Sequence, residues 1–276
     1  MSPQTTSPAL AGLDHPPAFV DVDGLRTAYR RRGNGPPILF LHGEQLAGRW
    51  LPFLEKLAGG HDVIAPDHPG FGDTPMPPFL AGFDDLVLHY DGLLARLGID
   101  SVHLVGHALG GWIAAELAVH YPRRFASLAL LAPSGVRLPH VSSIDTFRMD
   151  GDEAVTSALN GRDERYAELF APDRSPEGLI RRFSERATSA RLAWNPRYDR
   201  KLDWRLRRVA APALVLRPQE DRIVPVAASV RYAELLPDAR MVTVEGDARE
   251  PTSHLMHVER PDAVAELVAA HVAAHA

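Results

Sequence analysis

Most hydrophobic residues of this chain fall into short continuous runs, and segments with helical spacing of apolar positions separate these runs. A run that is apolar at every position is typical of a strand buried on both faces, as in a parallel sheet. Such runs occupy residues 37–41, 63–66, 102–105, 128–131, 213–216 and 241–244. The segments with helical spacing occupy residues 50–57, 83–97, 109–120, 226–235 and 258–272. This alternation predicts an α/β fold, a mostly parallel twisted sheet with helices on both faces.

Two segments depart from this alternation. Residues 19–22 and 25–29 alternate around the turn dipeptide Asp23–Gly24, which predicts a β-hairpin. Between residues 135 and 208 no strand pattern is convincing, but amphipathic stretches at 166–170 and 178–191 predict a helical cap inserted after the sixth strand. The predicted organisation is therefore a flexible tail, the first part of a core, a cap and the second part of the core, at 1–17, 18–134, 135–208 and 209–276.

Composition narrows the class of protein further. The net charge of −5 argues against a nucleic-acid partner, and the absence of cysteine excludes disulfides and thiolate chemistry. The sequence contains no run of about twenty apolar residues, so it predicts no membrane span. The start of the chain lacks the features of a signal peptide, so we expect a cytoplasmic protein. Residues 162–208 carry 13 basic and 8 acidic side chains. This excess either attracts anionic substrates or forms a solvated surface, and the solvated surface is favoured.

Four short motifs occur in order along the chain. His42–Gly43 follows the strand at 37–41, and the sequence Ala-Pro-Asp-His-Pro-Gly-Phe-Gly at 65–72 forms a tight turn after the next strand. The sequence Gly-His-Ala-Leu-Gly at 106–110 lies between a predicted strand and a predicted helix. The fourth motif pairs Asp221, which follows the strand at 213–216, with His254, which precedes Glu259-Arg260-Pro261.

In this order the motifs resemble the α/β-hydrolase superfamily, in its capped single-domain branch of esterases, lactonases and hydrolases of carbon–carbon bonds. The resemblance covers nearly the whole chain from about residue 19 and implies an α/β-hydrolase fold with a helical cap insertion. In that superfamily the third motif is the G-x-S-x-G nucleophile elbow, whose strained turn presents a serine. The elbow glycines Gly106 and Gly110 are present, but Ala108 occupies the nucleophile position, and a methyl group cannot attack a carbonyl.

The resemblance also implies roles for the residues that match. Asp221 would be the acid of the triad, with Glu220 as the alternative, and His254 would be the base. The backbone N–H groups of Glu44 and Leu109 would form the oxyanion hole. The further candidates for the pocket are His42, His107, Trp194 and His257. We expect no cofactor and no metal, because Glu116 and His120 on one helix are too few ligands for a metal site.

Two other departures from the family accompany Ala108. Pro218 stands where relatives usually have glycine, and the loop 246–254 is longer than the Gly-x-Gly-His of relatives. In one explanation the natural protein has serine, and alanine was engineered in its place to trap an unreacted ligand. In the other, alanine is natural. The retained elbow glycines favour the first explanation, since an idle elbow has no need of strained geometry. The two other departures favour the second, which we prefer.

Three functions are compatible with these residues. The first is an enzyme acting on a small carbonyl substrate, from a lineage of ester, lactone or carbon–carbon hydrolases, that lacks the serine nucleophile. The second is a non-hydrolytic lyase, cyclase or cofactor-free oxygenase that uses a His–Asp general base and an oxyanion hole. The third is a pseudoenzyme that binds a ligand. Each implies a small-molecule partner, with neither nucleic acid nor membrane, and the substrate and oligomeric state are not predicted.

Overall fold

One eight-stranded sheet organises the chain. A computed structural model describes residues 15–141, 144–171, 173–247 and 249–276. The strands are β1 (Ala18–Val22), β2 (Leu25–Arg32), β3 (Pro37–Leu41), β4 (Asp62–Pro66), β5 (Val102–His107), β6 (Phe125–Leu131), β7 (Ala213–Arg217) and β8 (Ala239–Thr243). Their order in the sheet is β1-β2-β4-β3-β5-β6-β7-β8. The two pairings of β2, with β1 and β4, are antiparallel and the other five pairings are parallel, so the predicted mostly parallel sheet is confirmed.

Helices connect the strands and cover both faces of the sheet. Within the described residues they are α1 (Pro52–Ala58), α2 (Phe83–Arg96), α3 (Leu109–His120), α4 (Gly151–Ala158), α5 (Ala167–Phe170), α6 (Pro176–Ala193), α7 (Leu202–Arg205), α8 (Ala227–Leu235), α9 (Met256–Glu259) and α10 (Pro261–Ala273). The predicted helix at 258–272 is interrupted, because α9 ends just before Pro261, which begins α10. Proline lacks an N–H group and is favoured at the first position of a helix.

The two faces of the sheet form separate hydrophobic cores. Along β3, Leu39 and Leu41 pack with residues of α2, α3 and α8, whereas Ile38 and Phe40 pack with residues of α1, α9 and α10. None of these four side chains is more than 2% exposed. Because both faces are covered, every position of the strand is apolar, which explains the continuous runs in the sequence.

The segment between β6 and β7 is helical and contains α4 to α7, without a named strand among its described residues. Its longest helix, α6, contacts the loop that follows β4. There Glu185 accepts a hydrogen bond from the N–H of Gly72 at 2.9 Å, and the Thr188 hydroxyl donates to the carbonyl oxygen of Gly70 at 3.3 Å. The segment therefore lies over the carboxyl end of the sheet, and its delimitation as a cap at 135–208 stays a prediction.

Some predicted features fall on residues that the structure does not describe. The predicted tail lies outside the described residues up to position 14, as do positions 142, 143 and 172 of the predicted cap and position 248 of the loop 246–254. The last part of the predicted tail contacts the core. The carbonyl oxygen of His15 accepts a hydrogen bond from Arg30 Nε at 2.9 Å, and its ring lies 4.8 Å from the Trp50 ring.

Candidate active site

Ala108 forms a sharp turn between β5 and α3. Its backbone angles are φ 48° and ψ −111°, a left-handed conformation that non-glycine residues rarely adopt. A side chain on Gly110 would clash with the carbonyl oxygen of Leu41, and one on Gly106 would clash with the carbonyl oxygen of Gly110. The two elbow glycines therefore allow the helix to start close against β3 and β5, as the motif requires.

Backbone hydrogen bonds hold the strained residue in place. The N–H of Ala108 donates to the carbonyl oxygen of Leu131 at 3.0 Å. The carbonyl oxygen of Ala108 accepts from the N–H groups of Trp112 at 3.1 Å and Ser134 at 3.2 Å. Such strain costs about 1–3 kcal/mol and persists only where the surroundings determine it. The turn is thus built by the backbone of its neighbours and does not depend on the side chain at position 108.

A buried pair of side chains lies beside this turn. His254 Nδ1 is 2.8 Å from Asp221 Oδ2, and the two side chains are only 6% and 1% exposed. The other oxygen of Asp221 accepts hydrogen bonds from the N–H groups of Ile223 and Val224, each at 2.8 Å. Glu220 is exposed, and the structure shows no hydrogen bond between it and His254. Of the two candidate acids, the geometry therefore favours Asp221.

The turn and His254 both face one cavity of about 1110 Å³. Ala108, His254, Glu44 and Leu109 all line it. Leu109 is the first residue of α3, and an N–H group at this position has no acceptor within its own helix and lies at the positive end of the helix dipole. The site therefore brings a histidine paired with a carboxylate to the same cavity as the first residue of a helix.

Much of the apolar wall of this cavity comes from the segment between β6 and β7. These apolar residues are Val136, Leu138, Phe147, Met149, Leu179 and Phe183. The same segment contributes the arginines Arg137, Arg148, Arg182, Arg186 and Arg197. None of these residues was singled out from the sequence. The amphipathic spacing at 178–191 predicts a helix there, but it carries no signal for which side of that helix meets the cavity.

The structure corrects the prediction for the four further pocket candidates, since none of them lines the main cavity. His42 is buried against His68, with ring centroids 3.8 Å apart, and its Nε2 accepts the backbone N–H of His68 at 3.1 Å. Trp194 follows the last residue of α6, is 64% exposed and lies at a surface hollow beside Asn195 and Pro196.

The other two candidates, His107 and His257, are buried behind the turn. Their ring centroids are 4.3 Å apart, and neither ring reaches the cavity. Burial lowers the pKa of His257 to about 3 and places the pKa of His107 well below its usual value, with nearby histidines lowering both further. Both imidazoles are therefore uncharged at neutral pH.

Glu116 and His120 lie one turn apart on α3, and Glu116 is engaged by another side chain. Glu116 is buried and bonds to Arg205 at 2.9 Å, and its burial raises its pKa. Within the described residues, no group of three or more histidine, aspartate or glutamate side chains has the geometry of a metal site. No described helix is both long enough and apolar enough to cross a membrane.

Comparison with known proteins identifies the family. Residues 38–267 match the model of the Alpha/beta hydrolase family, so the chain belongs to that family. It is 31% identical to the dihydrolipoyllysine-residue acetyltransferase component of the acetoin cleaving system of Cupriavidus necator, over 92% of this chain and 68% of that protein. It is 25% identical to the 2-hydroxy-6-oxo-2,4-heptadienoate hydrolase of Pseudomonas putida, over 81% of this chain and 86% of that protein.

A solved structure agrees with this assignment. The 2-hydroxy-6-oxo-6-phenylhexa-2,4-dienoate hydrolase of Rhodococcus sp. strain RHA1 superposes with a TM-score of 0.75 at 22% identity, over 94% of this chain and 99% of that chain. At this identity the likeness concerns the fold. The expected α/β-hydrolase fold is therefore confirmed.

Proposed function

We propose that this protein is an enzyme that acts on a small carbonyl substrate in the cavity above Ala108, with His254 as its general base. The observation that carries the proposal is the 2.8 Å bond between His254 Nδ1 and Asp221, in a histidine that lines the same cavity as Ala108. Because Nδ1 is engaged by the carboxylate, Nε2 is the nitrogen available to take and return a proton.

Ala108 restricts the chemistry of this base. Without a hydroxyl at position 108, no acyl-enzyme can form there, so His254 must act on water or directly on the substrate. In hydrolysis, His254 takes a proton from water, and the resulting hydroxide adds to the carbonyl carbon. The N–H groups of Glu44 and Leu109 stabilise the negative oxygen, and His254 then returns the proton to the leaving group. Asp221 stabilises the charged imidazole between these steps.

The relatives favour hydrolysis among the reactions open to this base. Several are named as hydrolases, including the 2-hydroxymuconate semialdehyde hydrolase of Pseudomonas sp. strain CF600. The panel of substrates to be tested should therefore include a 2-hydroxy-6-oxo-dienoate as well as activated esters and lactones. The second candidate is a lyase, cyclase or cofactor-free oxygenase in which His254 takes a proton from the substrate itself. The methyl group of Ala108 favours it, since such chemistry needs no nucleophilic side chain.

The first prediction is a gain of function on restoring serine. We expect Ala108→Ser to raise the turnover of activated esters by about 10²-fold or more and to make the protein reactive toward a phosphonate, because the base is already in place. The chain with Ala108 should show slow turnover without an initial burst. His254→Gln should abolish turnover in both backgrounds, and steady-state and burst kinetics measure each form.

The outcomes separate the candidate functions. Ala108→Ser without added turnover and without phosphonate labelling, together with no hydrolysis of the panel by the unaltered chain, would rule out the hydrolytic proposal. Activity of the unaltered chain on a non-ester carbonyl compound, lost in His254→Gln, would instead support the second candidate. Ligand binding that is indifferent to both His254→Gln and Asp221→Asn, with no turnover of any substrate, would indicate a pseudoenzyme.

A further inference from the structure

The imidazole of His107 touches the candidate active site from behind. Its Nε2 lies 3.0 Å from the backbone carbonyl oxygen of His254, across 147 positions of the chain. A carbonyl oxygen can only accept a hydrogen bond, so Nε2 must carry the proton and donate it. Since residue 107 directly precedes Ala108, this bond ties the backbone of the base to the strained turn.

The opposite edge of the His107 ring faces the proposed oxyanion donors. A side chain on Gly43 would clash with His107 Nδ1, so the ring lies directly against this glycine. Gly43 precedes Glu44, whose N–H is a proposed oxyanion donor. Nδ1 has no hydrogen-bond partner among the described residues. A bare Nδ1 agrees with a proton on Nε2, because a neutral imidazole carries only one.

Neighbouring rings fix the orientation of His107. The His254 ring lies 4.7 Å from it and the His257 ring 4.3 Å, measured between centroids. His257 is itself held beside Phe53 and Phe40, at 5.8 Å and 6.4 Å. The ring therefore has little freedom to turn its Nε2 away from the His254 carbonyl.

We propose that His107 is a positioning residue that fixes the backbone of His254 relative to position 108 and to the Gly43–Glu44 segment. It contacts neither the cavity nor a substrate, and it acts through the placement of the His254–Asp221 pair. The proposal rests on the proposed function for the role of that pair, but its tests need no turnover.

The first test uses the unaltered chain. Long-range ¹H–¹⁵N NMR on protein labelled with ¹⁵N-histidine reports the tautomer of each ring, and His107→Gln assigns the His107 signals by their loss. We expect a neutral ring protonated at Nε2, with a proton that exchanges slowly with solvent. A ring protonated at Nδ1 would overturn the proposal, whether or not the protein is an enzyme.

The second test compares two substitutions through the low-field proton of the His254–Asp221 hydrogen bond. His107→Gln keeps an N–H group that can reach the same carbonyl, and we expect it to keep the resonance. His107→Leu keeps a buried side chain but removes the donor, and we expect the resonance to broaden or disappear while thermal unfolding stays cooperative. An unchanged resonance in a folded His107→Leu variant would contradict the proposal. If His107→Leu does not fold, the tautomer of His107 measured in the first test decides whether the proposal stands.

An activity measurement adds a consequence for catalysis. In the Ala108→Ser background, His107→Leu is expected to lower kcat about tenfold with little change in KM, because misplacing the base affects the chemical step more than binding. His107→Gln should restore most of this loss. Should Ala108→Ser itself be inactive, the hydrolytic proposal fails, while the two NMR tests of His107 remain valid.

Discussion

At the scale of single residues, Ala108 combines a costly backbone conformation with an inert side chain. The elbow motif could be recognised in the sequence, because close backbone packing requires glycine at positions 106 and 110 and so fixes their spacing. Asp221 and His254 could be named because their motifs resemble those of α/β-hydrolases in kind and in order along the chain. The role of His107 could not, since it depends on a contact with a carbonyl group 147 positions away, which leaves no mark on local sequence.

The close approach at the turn predicts a large effect of one methyl group. Gly110→Ala would press a side chain against the carbonyl oxygen of Leu41, and we expect it to lower the free energy of unfolding by about 3 kcal/mol. Gly60→Ala is the matched control, because a side chain there meets nothing within 4 Å. Urea unfolding of both variants measures the difference, and equal midpoints would show that the turn can relax.

At the scale of elements, the helical segment holds the loop that carries His254. Arg162 donates to Glu259 at 2.6 Å and to the carbonyl oxygen of Pro251 at 2.9 Å. The second oxygen of Glu259 accepts the N–H of Ser253 at 2.7 Å. This explains the spacing between His254 and Glu259 that was visible in the sequence. The partner Arg162 was not predictable, because the packing of the segment cannot be inferred from one chain.

Two arginines on this segment allow a matched comparison. We expect Arg162→Gln to lower the free energy of unfolding by about 2–4 kcal/mol, because it leaves the buried Glu259 carboxylate without its charged partner. Arg165→Gln removes a pair whose side chains are 46% and 38% exposed, and it should cost about 1 kcal/mol or less. Chemical denaturation measures both, and similar losses would contradict the role given to Arg162.

At the scale of the whole molecule, the sheet was predictable and the cavity was not. Strands such as β3 are apolar on both faces because helices cover both sides, so their burial appears directly in the sequence. The cavity wall is built by side chains such as Leu179 and Phe183, which are exposed on α6 and resemble ordinary surface positions of an amphipathic helix. Nothing in their spacing distinguishes a wall from a surface.

Buried histidines predict a dependence of global stability on pH. Burial lowers the pKa of His89 to about 4 and that of His257 to about 3. An unfolded histidine titrates near 6.5, so below that pH the unfolded chain binds protons that the folded chain does not. Stability should therefore be constant with respect to these groups above about pH 6.5 and fall by about 1.4 kcal/mol per pH unit for each of them as the pH drops toward 4.

Replacing one of these rings tests the argument. The nitrogens of His257 have no hydrogen-bond partner among the described residues, so His257→Leu should raise stability at pH 7.5 by about 1 kcal/mol. As the pH falls from 6.5 to 5, the free energy of unfolding of the same variant should fall less steeply, by about 1.4 kcal/mol per pH unit. Urea unfolding across this range measures both, and an unchanged slope would mean that His257 is protonated in the folded state.

The turn at Ala108 has an evolutionary consequence. Its backbone is held by hydrogen bonds to neighbouring strands and loops, so the fold keeps this conformation without any help from a reactive side chain. Alanine codons become serine codons by a single base change at their first position. A point mutation would therefore place a hydroxyl in a turn that needs no rebuilding, beside a histidine and an aspartate already in contact. For this gene, a nucleophile at position 108 is therefore one base change away.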